Sequence, residues 1–202
     1  VALLACTWAH ARDFELTPAE LARLERGDVV VRPVVETGPE AGMVRSAVRI
    51  DAPTAVVYRL MTDCAAARQY VPHLERCAVL EAATDGSWQL IEQQLDYGWF
   101  APALDYVIRA DYTADVSVDL RQVSGDFLVN EGRFELEELA DGRGTLLRYR
   151  LRLIPPRSVP LWLQRRTVVR ELPQMLRQLR QLSQRAAAAD LQMPPRDGKM
   201  SD

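Results

Sequence analysis

Thr145-Leu146-Leu147-Arg148-Tyr149-Arg150-Leu151-Arg152-Leu153-Ile154 alternates: Leu147, Tyr149, Leu151 and Leu153 fall on one side, Arg148, Arg150 and Arg152 on the other. A period of two with one apolar and one charged side belongs to an antiparallel strand that keeps one face in water. Pro155-Pro156 follows, and beyond it the period changes. Leu161, Val168, Val169, Leu172, Met175, Leu176, Leu179 and Leu182 recur every three or four residues, the apolar stripe of one long helix. Pro173 lies inside the stripe and predicts a bend.

Upstream, strand-like segments succeed one another at Cys77–Ala82, Trp88–Tyr97, Phe100–Tyr112, Val116–Val123 and Gly132–Leu139, with Asp85-Gly86, Asp126 and Asp141-Gly142 as breaks. In the Phe100 segment Leu104, Tyr106, Ile108 and Ala110 share a face opposite Asp105, Arg109 and Asp111. Before these come a strand carrying Val44, Val48 and Ile50, then two short helices. The first runs from Ala55 to about Met61 with Thr54 as its cap, the second from Ala65 to Tyr70. This order predicts an α+β fold: a curved antiparallel sheet of about seven strands whose apolar face is covered by the long C-terminal helix. Where one helix cannot fill so wide a sheet, the remaining space is an apolar cavity, the usual setting of a small-molecule site.

Farther out, Thr17-Pro18-Ala19-Glu20 is a capping box opening a short helix that Gly27 stops, and Val29-Val30-Val31 with Val34-Val35 reads as a strand. The first eleven residues contain an apolar run and Ala9-His10-Ala11, a small-x-small cleavage pattern, and are read as the remnant of a secretory signal. A short buried strand or helix is the alternative. Leu3-Leu4-Ala5-Cys6 also resembles a lipoprotein box, with Cys6 as the acylated residue. Export places the chain in the periplasm or outside the cell, and leaves Cys64 and Cys77 as a candidate disulfide; two small buried thiols are the alternative. The organisation is therefore 1–11 signal remnant, 12–43 N-terminal extension, 44–185 main domain and 186–202 disordered tail.

The 202 residues are 48% apolar and 26% charged, with a formal charge of −3. That balance argues against a protein built around nucleic-acid binding, which needs a basic stripe. No apolar run reaches the roughly 18 residues of a membrane-spanning helix. Lys199 is the sole lysine among 25 basic residues, so single arginines carry no functional meaning by themselves.

Val48-Arg49-Ile50-Asp51-Ala52-Pro53-Thr54-Ala55-Val56-Val57-Tyr58, Leu60-Met61-Thr62-Asp63 and Tyr70-Val71-Pro72-His73-Leu74 together resemble the opening of the START-like (SRPBCC) superfamily of polyketide cyclases/dehydrases and lipid-transport proteins. Gly132-Arg133-Phe134-Glu135-Leu136, Gly144-Thr145-Leu146-Leu147-Arg148-Tyr149 and Pro160-Leu161-Trp162-Leu163 are similar to its later strands and to the entry of its last helix. The likeness covers about 44–184. It implies a helix-grip fold, and among the branches it is most similar to coenzyme Q-binding proteins and the ribosome-association toxin. The N-terminal extension and the cysteine pair depart from that branch and point away from a ribosomal role.

No Ser-His-Asp order, HExxH, P-loop or dinucleotide fingerprint occurs, and no cysteine–histidine spacing suits a metal; no catalytic residue, metal or cofactor is assigned. His73 is read as a surface or capping residue. Some family members do catalyse, and Tyr106 and Tyr149 would be the polar groups inside such a cavity. An apolar cavity for a quinone, lipid or polyketide-like molecule needs lining rather than a triad. The expected lining is Tyr106, Ile108, Phe134, Leu136, Leu147, Tyr149 and Leu151 from the sheet, with Val169, Leu172 and Leu176 from the helix; simple core packing is the alternative. Arg165, Arg166, Arg170, Arg177, Arg180 and Arg185, set against a single Glu171, make the helix a candidate contact for an anionic membrane surface or for a protein partner. A solvated face is the alternative. The reading is an exported binding or carrier protein for a hydrophobic small molecule. A cyclase/dehydratase-type enzyme in the same cavity and an interaction module are the competing classes.

Overall fold

The computed structural model describes residues 14–32, 37–38, 41–140 and 142–192. The signal remnant, the lipoprotein box, Val34-Val35 and residues 193–202 lie outside them. Helix α1 (Pro18–Glu25) begins with the expected capping box: Thr17 accepts from the Glu20 amide and Glu20 accepts from the Thr17 amide. Strand β1 (Val29–Val31) pairs with β2 (Met43–Ile50). Helices α2 (Thr54–Met61) and α3 (Cys64–Tyr70) follow, then β3 (Leu74–Ala82), β4 (Trp88–Leu95), β5 (Leu104–Thr113), β6 (Ser117–Gly125), β7 (Val129–Glu138) and β8 (Thr145–Ile154).

All strands join one antiparallel sheet in the order β1-β2-β8-β7-β6-β5-β4-β3. The expected sheet is β2 to β8; β1, from the N-terminal extension, adds an eighth strand at one edge. Return of the chain from β8 to lie beside β2 brings Leu147 opposite Val48 and Tyr149 opposite Ser46.

Three sequence expectations are corrected. Thr54 does not cap α2: Pro53 occupies the cap position, with no side-chain cap bond, and Thr54 is already helical. The β5 strand starts at Leu104 rather than Phe100, because Gly98–Phe100 form a 3-10 turn started by Gly98 at φ +74, whose amide donates to the Asp96 carboxylate at 2.7 Å. The C-terminal helix extends well past Arg185: α5 runs from Leu172 to Gln192, and Ala186–Ala189, all strong helix formers, continue it where disorder was expected.

Before Pro173 the helical hydrogen-bond pattern changes in a specific form. Helix α4 (Leu161–Arg166) passes into one wide π turn (Thr167–Glu171), in which the Leu172 amide reaches back to the Thr167 carbonyl, and α5 starts immediately before Pro173. Proline offers no amide to the carbonyl four residues earlier and its ring crowds that carbonyl, so the helix widens by a residue to pass it. This turns the side chains that follow out of register with those before, and Val169 ends up 71% exposed.

Three apolar clusters hold the fold. The first joins Val44, Val48 and Ile50 of β2, Leu147 and Tyr149 of β8, and Leu136 of β7 to Val57, Ala67 and Tyr70 of the short helices and to Leu172, Leu176 and Leu179 of α5. A second joins Ile91, Leu104, Tyr106, Ile108, Ala110 and Val118 of β4 to β6 with Tyr97, Phe127, Val159 and Leu163. The third is small: Phe14, Leu24 and Val30 of the extension cover Ala47 and Leu146. Ala47 and Leu146 alternate with the residues of the first cluster, so the extension packs on the outer face of the sheet, opposite α5.

A disulfide joins Cys64, the first residue of α3, to Cys77 of β3.

Candidate functional site

The interior between sheet and C-terminal helix is the region the sequence singled out. Leu136, Leu147, Tyr149, Leu172 and Leu176 lie in the first cluster, with Phe134 and Leu151 packed against it, and Tyr106 and Ile108 lie in the second. Val169 joins neither; the π turn carries it to solvent.

The two clusters meet at a seam. Phe134 packs against both, as do Tyr58, Met61, Cys77 and Leu95. Across the seam the Phe134 and Tyr149 rings stack at 3.8 Å, nearly parallel. Register puts Ala110, Leu120, Gly132, Leu151 and Val44 in one row across β5, β6, β7, β8 and β2. Gly132 leaves that row dented, and the Tyr149 ring leans over it: a Cβ there would lie 3.1 Å from Tyr149 Cε2. Leu120, Phe134, Leu151 and Leu153 all belong to the helix-facing side, yet each is only half-buried. A packed core would have closed over them.

The interior is dry where its tyrosines lie. Burial pushes the phenols of Tyr70, Tyr106 and Tyr149 far above their ordinary value, and neighbouring groups add to the shift: Tyr70 beside Tyr149, Tyr149 and Tyr97 beside Tyr106. All three are therefore neutral hydrogen-bonding groups at any physiological pH. Tyr106 donates to Gln93 Oε1 at 2.8 Å and Tyr70 to the Met61 carbonyl at 3.5 Å. Tyr112, pushed up to about 12 by burial and then by Tyr58 and Asp111, donates to Gln89 at 3.0 Å.

A polar group that sequence reading passed over sits at the π turn. Glu171 is buried, and its Oε1 lies 3.5 Å from His73 Nε2 and 3.6 Å from Arg166 Nε. His73, in the bend between α3 and β3, has φ +62, and its ring faces that of Tyr97 at 4.5 Å. Burial raises the Tyr97 phenol, the Glu171 carboxylate raises it further, and the Thr167 hydroxyl partly offsets both. The signal was present: Glu171, four residues before Met175, falls on the apolar stripe, where a charge is out of place. His73 gave none, because the topology alone brings the start of β3 to the α4–α5 turn.

The outer face is different in kind. Arg109, Arg133, Arg148 and Arg152 pair there with Asp111, Asp119, Glu135, Glu137 and Glu131. A groove of about 390 Å³ runs among them, bounded also by Arg121 and Met43. Such interlaced exposed charges solubilise a sheet face and contribute little stability each. Among the described residues, no three His, Cys, Asp or Glu side chains converge to hold a metal ion, and no helix is long and apolar enough to cross a membrane.

Residues 50–180 match the model of the family described as polyketide cyclase/dehydrase and lipid transport. The chain belongs to that family. No curated protein matches the sequence. Solved structures share the START-like fold. A STAR-related lipid transfer protein from Xanthomonas axonopodis is 24% identical, covering 77% of this chain and 92% of its own, with a TM-score of 0.62. A START superfamily protein from Mycobacterium smegmatis is 19% identical, with 71% and 98% covered and a TM-score of 0.61. The Zhui aromatase/cyclase from a Streptomyces species is 16% identical, with 79% and 98% covered and a TM-score of 0.58. At these identities the likeness is one of fold. The family sets a hydrophobic ligand or a cyclase substrate as the coarse expectation for the space under the helix.

Proposed function

We propose that this protein is an exported carrier that holds a hydrophobic small molecule, of quinone, lipid or polyketide-like type, at the seam between its sheet and its C-terminal helix. The observation that carries this is the half-buried state of Leu120, Phe134, Leu151 and Leu153 on the helix-facing side, around the Gly132 dent. Apolar surface left open inside a fold is surface a guest can cover, at about 25 cal/mol per Å². A few hundred Å² suffices for roughly micromolar affinity after the costs of association. The lipid transfer protein among the structural neighbours fits the same use of the fold. The Cys64–Cys77 disulfide supports export, since such bonds persist in oxidising compartments. Exposed Arg166 and Arg170, with exposed Trp162 and Val169 beside them, support loading at an anionic membrane surface.

The test is binding of the neutral apolar fluorophore Nile red to the full chain. Saturable emission is expected, with native mass spectrometry of protein from its own host showing a co-purifying apolar molecule. Leu151→Trp, which adds bulk at a half-buried position of the helix-facing side, should abolish the signal while leaving the circular dichroism unchanged. Absence of saturable binding, or a Leu151→Trp variant that binds like the parent, overturns the proposal. Turnover in the same space is the second reading, favoured by the Glu171–His73 pair. It predicts that the co-purified molecule is chemically altered over time by the parent protein and left intact by His73→Ala.

A further inference from the structure

Glu171 is a carboxylate in a place where the packing calls for an apolar side chain. Leu163, two turns earlier, belongs to the cluster on β4 to β6, and Leu172, the next residue, to the cluster under α5, so Glu171 stands where the two meet. The residue is 7% exposed, yet its Oε1 has no hydrogen-bond partner. His73 Nε2 at 3.5 Å and Arg166 Nε at 3.6 Å are both too far for a good bond. A buried acceptor left unpaired costs folding free energy, and such groups persist where something else uses them.

Two further irregularities converge on the same spot. The π turn ends at Glu171, and turns of this kind inside helices are frequent at functional sites. His73 holds the left-handed conformation, φ +62, and its carbonyl is fixed by the Asp96 amide at 2.9 Å, so its ring stays against Tyr97. Strain, a widened turn and an unpaired oxygen thus share one junction.

The chemistry restricts what could satisfy it. An anionic head would meet the carboxylate, and a cationic one would meet Arg166. A hydroxyl both donates and accepts, which matches one unpaired acceptor flanked by donors that are each slightly too distant. We infer that Glu171, Arg166 and His73 form the polar subsite of the carrier, taking a neutral alcohol or phenol at the end of an apolar body. The O–H donates to Glu171 Oε1, and the hydroxyl oxygen accepts from Arg166 Nε–H or His73 Nε2–H. This rests on the carrier reading and narrows it: hydroxyl-bearing ligands, phenolic or alcoholic, are preferred over their ethers, over quinones and over fatty acids.

The experiment is competition against bound Nile red by 1-dodecanol, dodecyl methyl ether and dodecanoate, with the full chain and with Glu171→Met. On the parent protein dodecanol should compete about ten-fold more strongly than the ether, the worth of one hydrogen bond to a charged acceptor, and dodecanoate should be the weakest. Glu171→Met should bring alcohol and ether within about two-fold of each other while the ether keeps its parental affinity, which also certifies the fold of the variant. Equal competition by alcohol and ether on the parent overturns the subsite and leaves the carrier standing; this comparison needs no variant. A preference that survives in Glu171→Met also overturns it. Failure of Nile red to bind at all overturns both.

Discussion

Opening the Cys64–Cys77 bond should destabilise the chain by about 3 kcal/mol. The two cysteines are 13 residues apart, and closing a loop of that size removes chain entropy from the unfolded state worth about 3 kcal/mol at 25 °C. The loop consists of α3, the bend at His73 and the first residues of β3. In the folded state these are already held: Ala66, Ala67 and Tyr70 are buried, the last two in the cluster under α5, and β3 is paired to β4 from Leu74 onward. Reduction therefore has little native contact to break and acts on the unfolded chain. Urea unfolding of the oxidised and reduced protein, monitored by tryptophan fluorescence and by circular dichroism, reads the difference directly. For a chain of this length it corresponds to a fall of about 6 to 12 °C in the thermal midpoint. Cys64→Ala with Cys77→Ala should reproduce the reduced value, less a small packing loss. Coincident curves for oxidised and reduced protein, within about 0.5 kcal/mol, would refute the reasoning. Reactive Cys64 and Cys77 thiols in unreduced, denatured protein would refute it as well.

Gly125 closes β6 at φ +127, and a Cβ there would come 2.5 Å from the Asp105 carbonyl oxygen and still closer to Tyr106 Cα, backbone atoms that cannot yield. Gly125→Ala should cost about 3 kcal/mol or more. Gly86→Ala, at φ +72 in open space, should cost only about 1 kcal/mol; equal urea midpoints for the two would refute the close-approach argument. At the N-terminal extension, Arg32 forks onto both Glu20 oxygens at 2.9 and 2.8 Å and lies 4.6 Å over the Phe14 ring. That hydrogen-bonded guanidinium, foremost, lowers the Glu20 carboxyl from 4.5 to about 2. The folded value lies below the unfolded one, so the stabilisation is complete above about pH 4.5 and is lost as pH falls towards 2. With Arg32 a third exposed, solvent screening leaves about 1 kcal/mol. The parent should exceed Arg32→Leu by that amount at pH 7, with the gap shrinking towards pH 2; a gap independent of pH would refute it.

The fold was legible because its signals are local. Residues 145–154 alternate without a break, and β8 is found over those residues; the change of period after Pro155-Pro156 marks the helix that covers the sheet. Boundaries set by turn geometry were less legible. Pro53 takes the cap position that Thr54 was expected to fill, and Gly98 delays β5 by several residues. The candidate site divided along the same line. Positions on the sheet obey a strict period of two, so Tyr106, Phe134, Leu147, Tyr149 and Leu151 all face the helix. Val169 was misplaced because a helical stripe assumes an uninterrupted 3.6-residue period, and Pro173 forces a π turn that breaks it. His73 could not be paired with Glu171 from sequence, since nearly a hundred residues separate them.

The same break in period gives the long helix two unequal halves. Helix α5 is pinned on several sides: Leu172, Leu176 and Leu179 are buried against β2, β8 and the short helices, Arg180 donates to the Gly27 carbonyl at 2.7 Å, and Arg59 bonds Asp190 at 2.8 Å. The extension braces the same strands from the outer face through Val30 and Leu24. Helix α4 follows Pro160, has Leu163 buried with Val159 in the cluster on β4 to β6 and Trp162 half in water, and ends in the π turn. Glu171 is the last residue of that turn. A guest hydroxyl bonded both to it and to Arg166 would therefore tie the end of the turn to α4, joining the two halves that the π turn separates.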